Sequence, residues 1–311
     1  MKFPKVTVVG AGQVGATAAF ALLTKNIADV VMVDVAEGLP QGKALDMMHS
    51  RSVERFGPRV MGTNDYADTA GSDIVVVTAG LPRKPGMTRD DLLAANSAIV
   101  RSVFEKAYAA SPDAIFICVT NPLDVMVYLA RQVTGLPVER IFGMGGVLDS
   151  ARFAFAISEK LGVSVGDVEA MACGAHGDAM VPLPAHSFVG GERLTDILPA
   201  DEIDALVSRT TFGGAEVVAL LKTGSAFYAP AISVVRMVEA ILDDTGDTLP
   251  SCVYLDGQYG ISDVYMSVPA TLGRAGVIAI PELELSSADL DALQASAATI
   301  AEALDSLGLR G

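Results

Sequence analysis

Short apolar runs alternate with longer amphipathic stretches through the first half of the chain. Four runs are rich in β-branched residues, which predicts buried strands over 6–9, 30–33, 74–77 and 115–118. The stretches between them place apolar residues at helical spacing, which predicts helices over 14–24, 41–49 and 90–108. Because strands alternate with helices, this half predicts a parallel sheet with crossover helices on both faces.

After about residue 145 the pattern changes to helices mixed with shorter strands. Helices are predicted over 150–161, 201–221, 228–242 and 287–307, the last with Ser286 or Ser287 as its N-cap. Strands are predicted over 168–173, 185–189, 249–255 and 264–271. The chain therefore predicts an α/β fold, with a doubly wound parallel sheet in residues 1–147 and an α+β substrate domain in residues 148–311.

The charge balance limits which ligands the protein can bind. The chain has 311 residues, of which 51% are hydrophobic and 19% charged, with a formal net charge of −15. This surplus of acid disfavours nucleic-acid binding, so an anionic ligand requires a few locally placed cations. We hypothesise that the remaining acidic residues lie on the surface as an adaptation to salt.

The apolar segments and cysteines indicate the compartment. No uninterrupted apolar stretch reaches the roughly 18–20 residues that span a bilayer, so no membrane association is expected. The three cysteines, Cys118, Cys173 and Cys252, lack the spacing of a disulfide framework or a metal site. We therefore expect no metal and a reducing cytoplasm.

A glycine-rich segment, Gly10-Ala-Gly-Gln-Val-Gly15, lies between the first predicted strand and helix. These glycines permit a tight turn, a close approach of the backbone to a pyrophosphate, and close helix–strand packing. They also interrupt the apolar N-terminal stretch, which argues against a signal peptide. The second strand ends at Asp34, whose carboxylate can accept hydrogen bonds from the adenosine ribose and would repel a 2′-phosphate.

These features predict a Rossmann-type domain that binds NAD rather than NADP. The alternative is an ordinary glycine turn with an unrelated surface Asp. The expected cofactor-binding residues of this region are Gly10, Ala11, Gly12, Gln13, Val14, Gly15 and Asp34.

One of the three histidines has the surroundings of a catalytic group. His176 lies among small residues that would let a substrate approach, whereas His49 is interpreted as a surface or helix C-cap residue and His186 as structural. Asp149 and Arg152 are spaced i, i+3, so they share one helix face. An Asp can orient a histidine and stabilise its imidazolium, and an Arg can bind a carboxylate through two hydrogen bonds. The alternatives are a structural histidine and a surface Asp–Arg pair.

Two further segments carry candidate ligand-binding residues. The segment 80–89 holds three cations in an otherwise acidic chain, although a solvated surface loop is the alternative reading. Asn121 directly follows a buried strand, so it is placed at the carboxyl edge of the sheet, where open α/β sheets bind ligands.

Five motifs, in this order, resemble those of the lactate/malate dehydrogenase family, and in particular its bacterial lactate-dehydrogenase-like malate branch. The resemblance covers essentially the whole chain. The motifs are Gly10-Ala-Gly-Gln-Val-Gly15, Leu81-Pro-Arg-Lys-Pro-Gly-Met-Thr-Arg89, Thr120-Asn-Pro-Leu-Asp124, Val147-Leu-Asp-Ser-Ala-Arg-Phe153 and Gly174-Ala-His-Gly-Asp178.

The resemblance implies a role for each candidate at the reacting centre. His176 would exchange the proton, with Asp149 as its partner. Arg152 would bind the C1 carboxylate of the substrate, and Asn121 would bond the reacting oxygen. Arg89 would polarise the substrate carbonyl from a loop that closes over the site.

The resemblance also implies how specificity and cofactor contact arise. Arg83 occupies the family's specificity position, where malate enzymes carry Arg and lactate enzymes typically carry Gln. Asn96 and the segment of Val119, Thr120 and Asn121 would contact the nicotinamide half of NAD. A monocarboxylate would leave Arg83 unpaired in a desolvated site, which is costly.

The expected function is therefore reversible NAD-dependent oxidation of (S)-malate to oxaloacetate, a reaction of the tricarboxylic acid cycle. Two alternatives are the same chemistry on another 2-hydroxy acid such as L-lactate, and a non-catalytic NAD-binding sensor. Relatives of this kind assemble as dimers or tetramers, so we expect a homo-oligomer, with a tetramer favoured.

Overall fold

The computed structural model describes residues 3–81 and 89–310. The strands, in chain order, are β1 (Lys5–Val9), β2 (Asp29–Val33), β3 (Val60–Thr63), β4 (Ile74–Val77), β5 (Ile115–Cys118), β6 (Ile141–Gly143), β7 (Val168–Glu169), β8 (Ala172–Gly174), β9 (Met180–Pro182), β10 (Phe188–Val189), β11 (Glu192–Arg193), β12 (Thr248–Asp256), β13 (Ser262–Gly273) and β14 (Gly276–Ala279). The α-helices are α1 (Gln13–Thr24), α2 (Leu39–Glu54), α3 (Arg89–Ala110), α4 (Leu123–Thr134), α5 (Gly146–Leu161), α6 (Leu194–Ile197), α7 (Ala200–Thr211), α8 (Gly213–Leu221), α9 (Tyr228–Leu242) and α10 (Ser287–Ser306).

The first compact unit contains the chain up to Met144 together with Phe227–Asp247 and Leu272–Ile278. Its sheet has the order β3-β2-β1-β4-β5-β6, and all of these strands are parallel. Every residue of β4 and β5 is buried, as expected of strands covered on both faces. The strand order reverses between β1 and β4, and such a switch point is where open α/β sheets bind ligands.

The second compact unit contains Gly145–Ala226, Thr248–Thr271 and the chain from Ala279 onward. Here β12, β13, β8 and β9 pair antiparallel in that order, and β11, β10 and β7 form a separate small sheet. Helix α5 packs on β8 and β12. A core cluster that includes Phe153, Ile157 and Leu206 fills the space beside α5.

The predicted parallel sheet and the α+β character of the second half are confirmed. The compact units are not contiguous in sequence, and the predicted bounds of 1–147 and 148–311 stay a prediction. No helix among residues 3–81 and 89–310 is both long and apolar enough to cross a bilayer.

Four predicted elements were wrong in extent, each for a local reason. The predicted helix over 201–221 is two helices, because the chain leaves helical geometry at Phe212 (φ −94°, ψ 5°) and the poor helix formers Gly213 and Gly214 follow. The strand over 168–173 is β7 and β8, which pair in different sheets. Pro184 begins a 3₁₀ turn at 184–186, which shortens the strand over 185–189 to β10. Helix α2 continues past His49 to Glu54.

Candidate active site

The glycine segment forms a tight turn between β1 and α1. The Gly10 amide donates to the Val33 carbonyl at 2.8 Å. A Cβ built on Gly15 would lie 1.9 Å from the Gly10 carbonyl oxygen, and one on Gly10 would lie 2.7 Å from Thr78 Oγ1. A Cβ on Gly12, at the N-cap of α1, would meet nothing within 4 Å. The outer glycines therefore allow close packing, and Gly12 leaves the helix N-terminus open to a phosphate.

Asp34, at the end of β2, lies against this turn. Its Oδ2 accepts from the Ala11 amide at 2.6 Å, and its Oδ1 accepts from the Ala36 amide at 2.9 Å. Burial, together with the nearby Asp34 charge, raises the pKa of Tyr66 to about 12. The predicted neighbourhood of Asp34 and the glycine turn is therefore present in the structure.

Lys43 contacts the same turn and was missed at the sequence level. Its Nζ donates to the Ala11 carbonyl at 2.8 Å and to the Gly12 carbonyl at 3.3 Å. These bonds tie the turn to helix α2. No spacing rule connects a lysine on the second helix with a turn about 30 residues earlier, so the only signal available was the scarcity of cations in the chain.

A third group of contacts joins the ends of β4 and β5. Asn96, only 1% exposed, accepts from the Leu81 amide through Oδ1 at 2.8 Å. Its Nδ2 donates to the Asn121 carbonyl at 2.7 Å, and Thr120 Oγ1 donates to the Ala79 carbonyl at 2.7 Å. The structure therefore brings together Asn96, Thr120 and Asn121, with Asn96 bonded to backbone groups.

Two of the predicted substrate-binding arginines have side chains outside the described part of the structure. Arg83 lies outside the described residues. Arg89 begins helix α3, and its side chain also lies outside the described part of the structure.

The predicted histidine lies on a five-residue hairpin loop of the second unit. Strands β8 and β9 pair Gly174 with Met180, and the loop between them carries His176. His176 Nδ1 lies 2.9 Å from Asp149 Oδ2. The Asp149 side chain is only 3% exposed and the His176 side chain 12%, so their interaction is weakly screened by water. Asp149 lies in the first turn of α5, where the helix dipole favours a negative charge.

Arg152 completes this cluster. Its Nη1 lies 3.3 Å from Asp149 Oδ1, so the two carboxylate oxygens contact different partners. A Cβ built on Gly214 would lie 3.5 Å from Arg152 Nη2, and one on Gly213 would lie 3.5 Å from Arg152 Cδ. The start of α8 therefore lies beside the Arg152 side chain, and a methyl group at either glycine would be in ordinary contact with it.

The observed turn fits a dinucleotide. Its backbone can approach a pyrophosphate at Gly12, and the Asp34 carboxylate lies at the end of the neighbouring strand, where the adenosine ribose binds in such folds. This glycine turn in the first unit and the histidine–carboxylate pair in the second are each features found in NAD-binding oxidoreductases.

Comparison with known proteins identifies the family. Residues 4–143 match the family model for the lactate/malate dehydrogenase NAD-binding domain, and residues 146–307 match that for the lactate/malate dehydrogenase alpha/beta C-terminal domain. The chain belongs to the lactate/malate dehydrogenase family.

Individual relatives agree with this result. A malate dehydrogenase of Trichormus variabilis is 53% identical over 299 residues, covering 96% of this chain and 92% of the relative. The crystal structure of Cryptosporidium parvum malate dehydrogenase has a TM-score of 0.96 at 42% identity and covers 99% of both chains. A Cryptosporidium parvum lactate dehydrogenase, solved with lactic acid and nicotinamide adenine dinucleotide, has a TM-score of 0.94 at 42% identity and covers 98% of this chain and 99% of the other.

Proposed function

We propose that this protein catalyses the reversible NAD-dependent oxidation of (S)-malate to oxaloacetate. The observation that carries the proposal is the cluster of His176, Asp149 and Arg152 around the buried Asp149 carboxylate, which supplies a proton acceptor, its charge partner and a carboxylate-binding cation. Family membership supports the dehydrogenase chemistry. Relatives that are named malate dehydrogenase and are 53% identical in sequence to this chain support the substrate.

The chemistry follows from the hydrogen bond between His176 and Asp149. In the neutral ring, Nδ1–H donates a hydrogen bond to Asp149, so the unprotonated Nε2 takes the C2 hydroxyl proton of malate. The new imidazolium is then stabilised by the adjacent buried carboxylate. When bound, NAD would supply the acceptor for the hydride that leaves C2. In the reverse direction, His176 returns the proton to the alcohol oxygen.

Three arginines and one asparagine would bind the substrate. Arg152 would bind the C1 carboxylate and Arg83 the distal carboxylate. Arg89 and Asn121 would hold the oxygen on C2 as its charge develops. This division of charges explains how a protein with a net charge of −15 binds a dianion.

The cofactor-binding residues are proposed by the same reasoning. The glycine turn (Gly10, Ala11, Gly12, Gln13, Val14 and Gly15) would bind the pyrophosphate, and Asp34 the adenosine ribose. The nicotinamide half would lie near Asn96, Val119, Thr120 and Asn121. Since Asn96 bonds to Leu81 and Asn121, it would also fix the backbone at this position.

Steady-state kinetics with NADH tests the substrate. We expect kcat/KM for oxaloacetate to exceed that for pyruvate by at least ~100-fold, because pyruvate leaves Arg83 unpaired in a desolvated site. Arg83→Gln should narrow or invert the ratio. Lys84→Gln, which removes a neighbouring cation from the same segment, is the matched control and should leave the ratio unchanged. Equal or greater efficiency with pyruvate in the wild type would contradict the malate assignment.

Lactate is the second candidate substrate. It is supported by the similarity to the Cryptosporidium parvum lactate dehydrogenase solved with lactic acid. A non-catalytic NAD-binding sensor remains the alternative of a different class, and NADH binding without turnover of either 2-oxo acid would favour it.

The proposal extends to the setting of the enzyme. We propose a cytoplasmic homo-oligomer, with a tetramer favoured over a dimer, that acts in the tricarboxylic acid cycle and binds neither nucleic acid nor membranes. Light scattering of the purified protein tests the assembly, and a monomer would contradict it.

A further inference from the structure

The loop that carries His176 includes backbone geometry that favours glycine. Gly174 and Gly177 adopt φ values of +89° and +122°, which glycine reaches without a steric penalty. One backbone bond, from the Met180 amide to the Gly177 carbonyl at 3.1 Å, closes the turn. Because glycines add conformational freedom to the loop, its position depends on contacts from other elements.

Ser296, on helix α10, contacts both ends of this loop. The Ala175 amide donates to Ser296 Oγ at 2.8 Å, and Ser296 Oγ donates to the Ala179 carbonyl at 2.6 Å. Ala175 is the first residue of the loop and Ala179 the last, since Gly174 pairs with Met180. One hydroxyl therefore accepts from one end of the histidine loop and donates to the other.

The surroundings of Ser296 fix its geometry. The residue is 4% exposed, so water competes little for its hydroxyl. A Cβ on Gly174 would lie 2.9 Å from Ser296 Oγ, so the close approach of the hydroxyl also depends on that glycine. The loop spans residues 175–179 and Ser296 lies far along the chain, so this contact fixes the loop relative to α10.

Asp149 contacts the His176 side chain directly. The neighbouring Ser150 Oγ accepts from the Ala172 amide at 2.9 Å, which ties α5 to the strand that leads into the loop. Asp149 thus contacts the imidazole, while Ser296 contacts the backbone on both sides of His176.

We propose that Ser296 is a positioning residue for the proton transfer: its hydroxyl bridges Ala175 and Ala179 and so holds the His176 ring against Asp149. It acts through His176 and contacts no reacting atom. This inference rests on the proposed function only in taking His176 as the group that exchanges the proton.

Ser296→Ala tests the proposal by separating kcat from KM. We expect kcat for oxaloacetate reduction to fall about 10-fold or more, because small displacements of a catalytic group are costly. The KM for oxaloacetate should change less than about twofold, since Arg152 is untouched, and NADH affinity should be unchanged. The isotope effect with 4-deuterated NADH should rise, since the chemical step becomes slower relative to product release.

Ser158→Ala is the matched control. Ser158 is also a buried helical serine, at 6% exposure, but its Oγ donates to Phe155 of its own helix at 3.0 Å. Ser158→Ala removes a buried hydroxyl without touching the histidine loop, so it should keep its kcat and isotope effect. A Ser296→Ala variant that loses thermal stability but keeps wild-type kcat and isotope effect overturns the proposal. If Ser296→Ala does not fold, Ser296→Cys, with a weakly bonding thiol, gives the same test with a smaller expected decrease.

A measurement without turnover separates this inference from the proposed function. The chain has three histidines, so ¹⁵N-histidine spectra can be assigned with His49→Gln and His186→Gln. We expect a slowly exchanging Nδ1 proton on His176 that exchanges faster in Ser296→Ala and stays unchanged in Ser158→Ala. If the wild type reduces only pyruvate, the malate assignment fails, and the kinetic comparison is made on pyruvate. An unchanged His176 signal in Ser296→Ala overturns the positioning role whichever substrate is used.

Discussion

The cofactor turn and the histidine loop are shaped by opposite means. The turn from Gly10 to Gly15 depends on missing side chains, since a Cβ on Gly15 would lie 1.9 Å from the Gly10 carbonyl oxygen. The loop from Ala175 to Ala179 depends on a side chain that is present, the Ser296 hydroxyl. Both loops follow a strand. Close packing excludes side chains from the cofactor turn, whereas hydrogen bonds from a residue far along the chain position the histidine loop.

This difference has consequences for tolerance to substitution. A turn defined by close packing fails abruptly when atoms are added, because packed backbone cannot move aside. A loop defined by hydrogen bonds should lose position gradually as bonds are removed. Atoms added at the packed positions of the cofactor turn should therefore affect folding and binding together, whereas loss of a hydrogen bond or charge around the histidine loop should affect mainly the rate.

Gly15→Ala should give the largest effect. The added methyl must displace the Gly10 carbonyl, so we expect a loss of unfolding free energy of about 1–3 kcal/mol or more and no measurable NADH binding. Gly12→Ala meets nothing within 4 Å, so it should keep its stability and only weaken NADH binding. Urea unfolding and NADH fluorescence titration measure both. Equal stability of the two variants would show that the turn is not defined by packing.

Asp149→Asn should give the next largest effect, confined to the rate. Asparagine keeps the shape of the side chain but removes the charge that stabilises the imidazolium, so we expect kcat to fall by ~10²–10⁴-fold. NADH affinity should be unchanged. Asp201→Asn is the control, because Asp201 also lies in the first turn of a helix but is exposed. If kcat falls by less than about tenfold, the result argues against the proposed proton transfer.

The two loops also differ in how far the sequence revealed them. Glycine spacing after a strand reports close packing directly, so the cofactor turn and Asp34 could be predicted. His176, Asp149 and Arg152 were identified from residue type and helical spacing. Ser296 left no such signal, because it lies far along the chain in an otherwise ordinary amphipathic helix.

The elements that were missed or misjudged have a similar explanation. Helix α4 is buried along most of its length, including Asp124 and Tyr128, so its pattern differs from that of a surface helix whose polar residues face solvent. Strands β3 and β6 are only four and three residues long. The predicted helix over 201–221 is divided at Phe212, and Gly213 and Gly214, which follow directly, were the available sequence signal for that break.

Lys43→Met tests whether the cofactor turn also needs support from a side chain. The substitution keeps the aliphatic stem and removes both bonds to the turn, so we expect the NADH dissociation constant to rise about 3- to 10-fold, as the loss of one net hydrogen bond predicts. Lys25→Met is the control, because Lys25 forms an exposed ion pair with Glu239 at 2.9 Å. An unchanged dissociation constant in Lys43→Met would mean that close packing alone holds the turn.

The buried thiols should have the smallest effect, which is on how stability depends on pH. Burial raises the pKa of both Cys118, in β5, and Cys173, in β8, to about 12. The unfolded thiol ionises near pH 8.5–9, so the folded pKa is the higher one. The stability contribution is therefore complete below about pH 8.5 and is lost as the pH rises toward 12. Urea unfolding should therefore show stability declining as the pH rises above 9.

Thiol labelling of the native protein at pH 8 then compares the two regions. Both thiols should react slowly, because each is protonated and enclosed. Cys173 lies on the strand that leads into the histidine loop, so Ser296→Ala should accelerate its labelling and leave Cys118 unchanged. Equal acceleration at both sites would indicate global destabilisation. No acceleration at either site would mean that the Ser296 bonds do not govern opening of the histidine loop, which would contradict the contrast between the two loops.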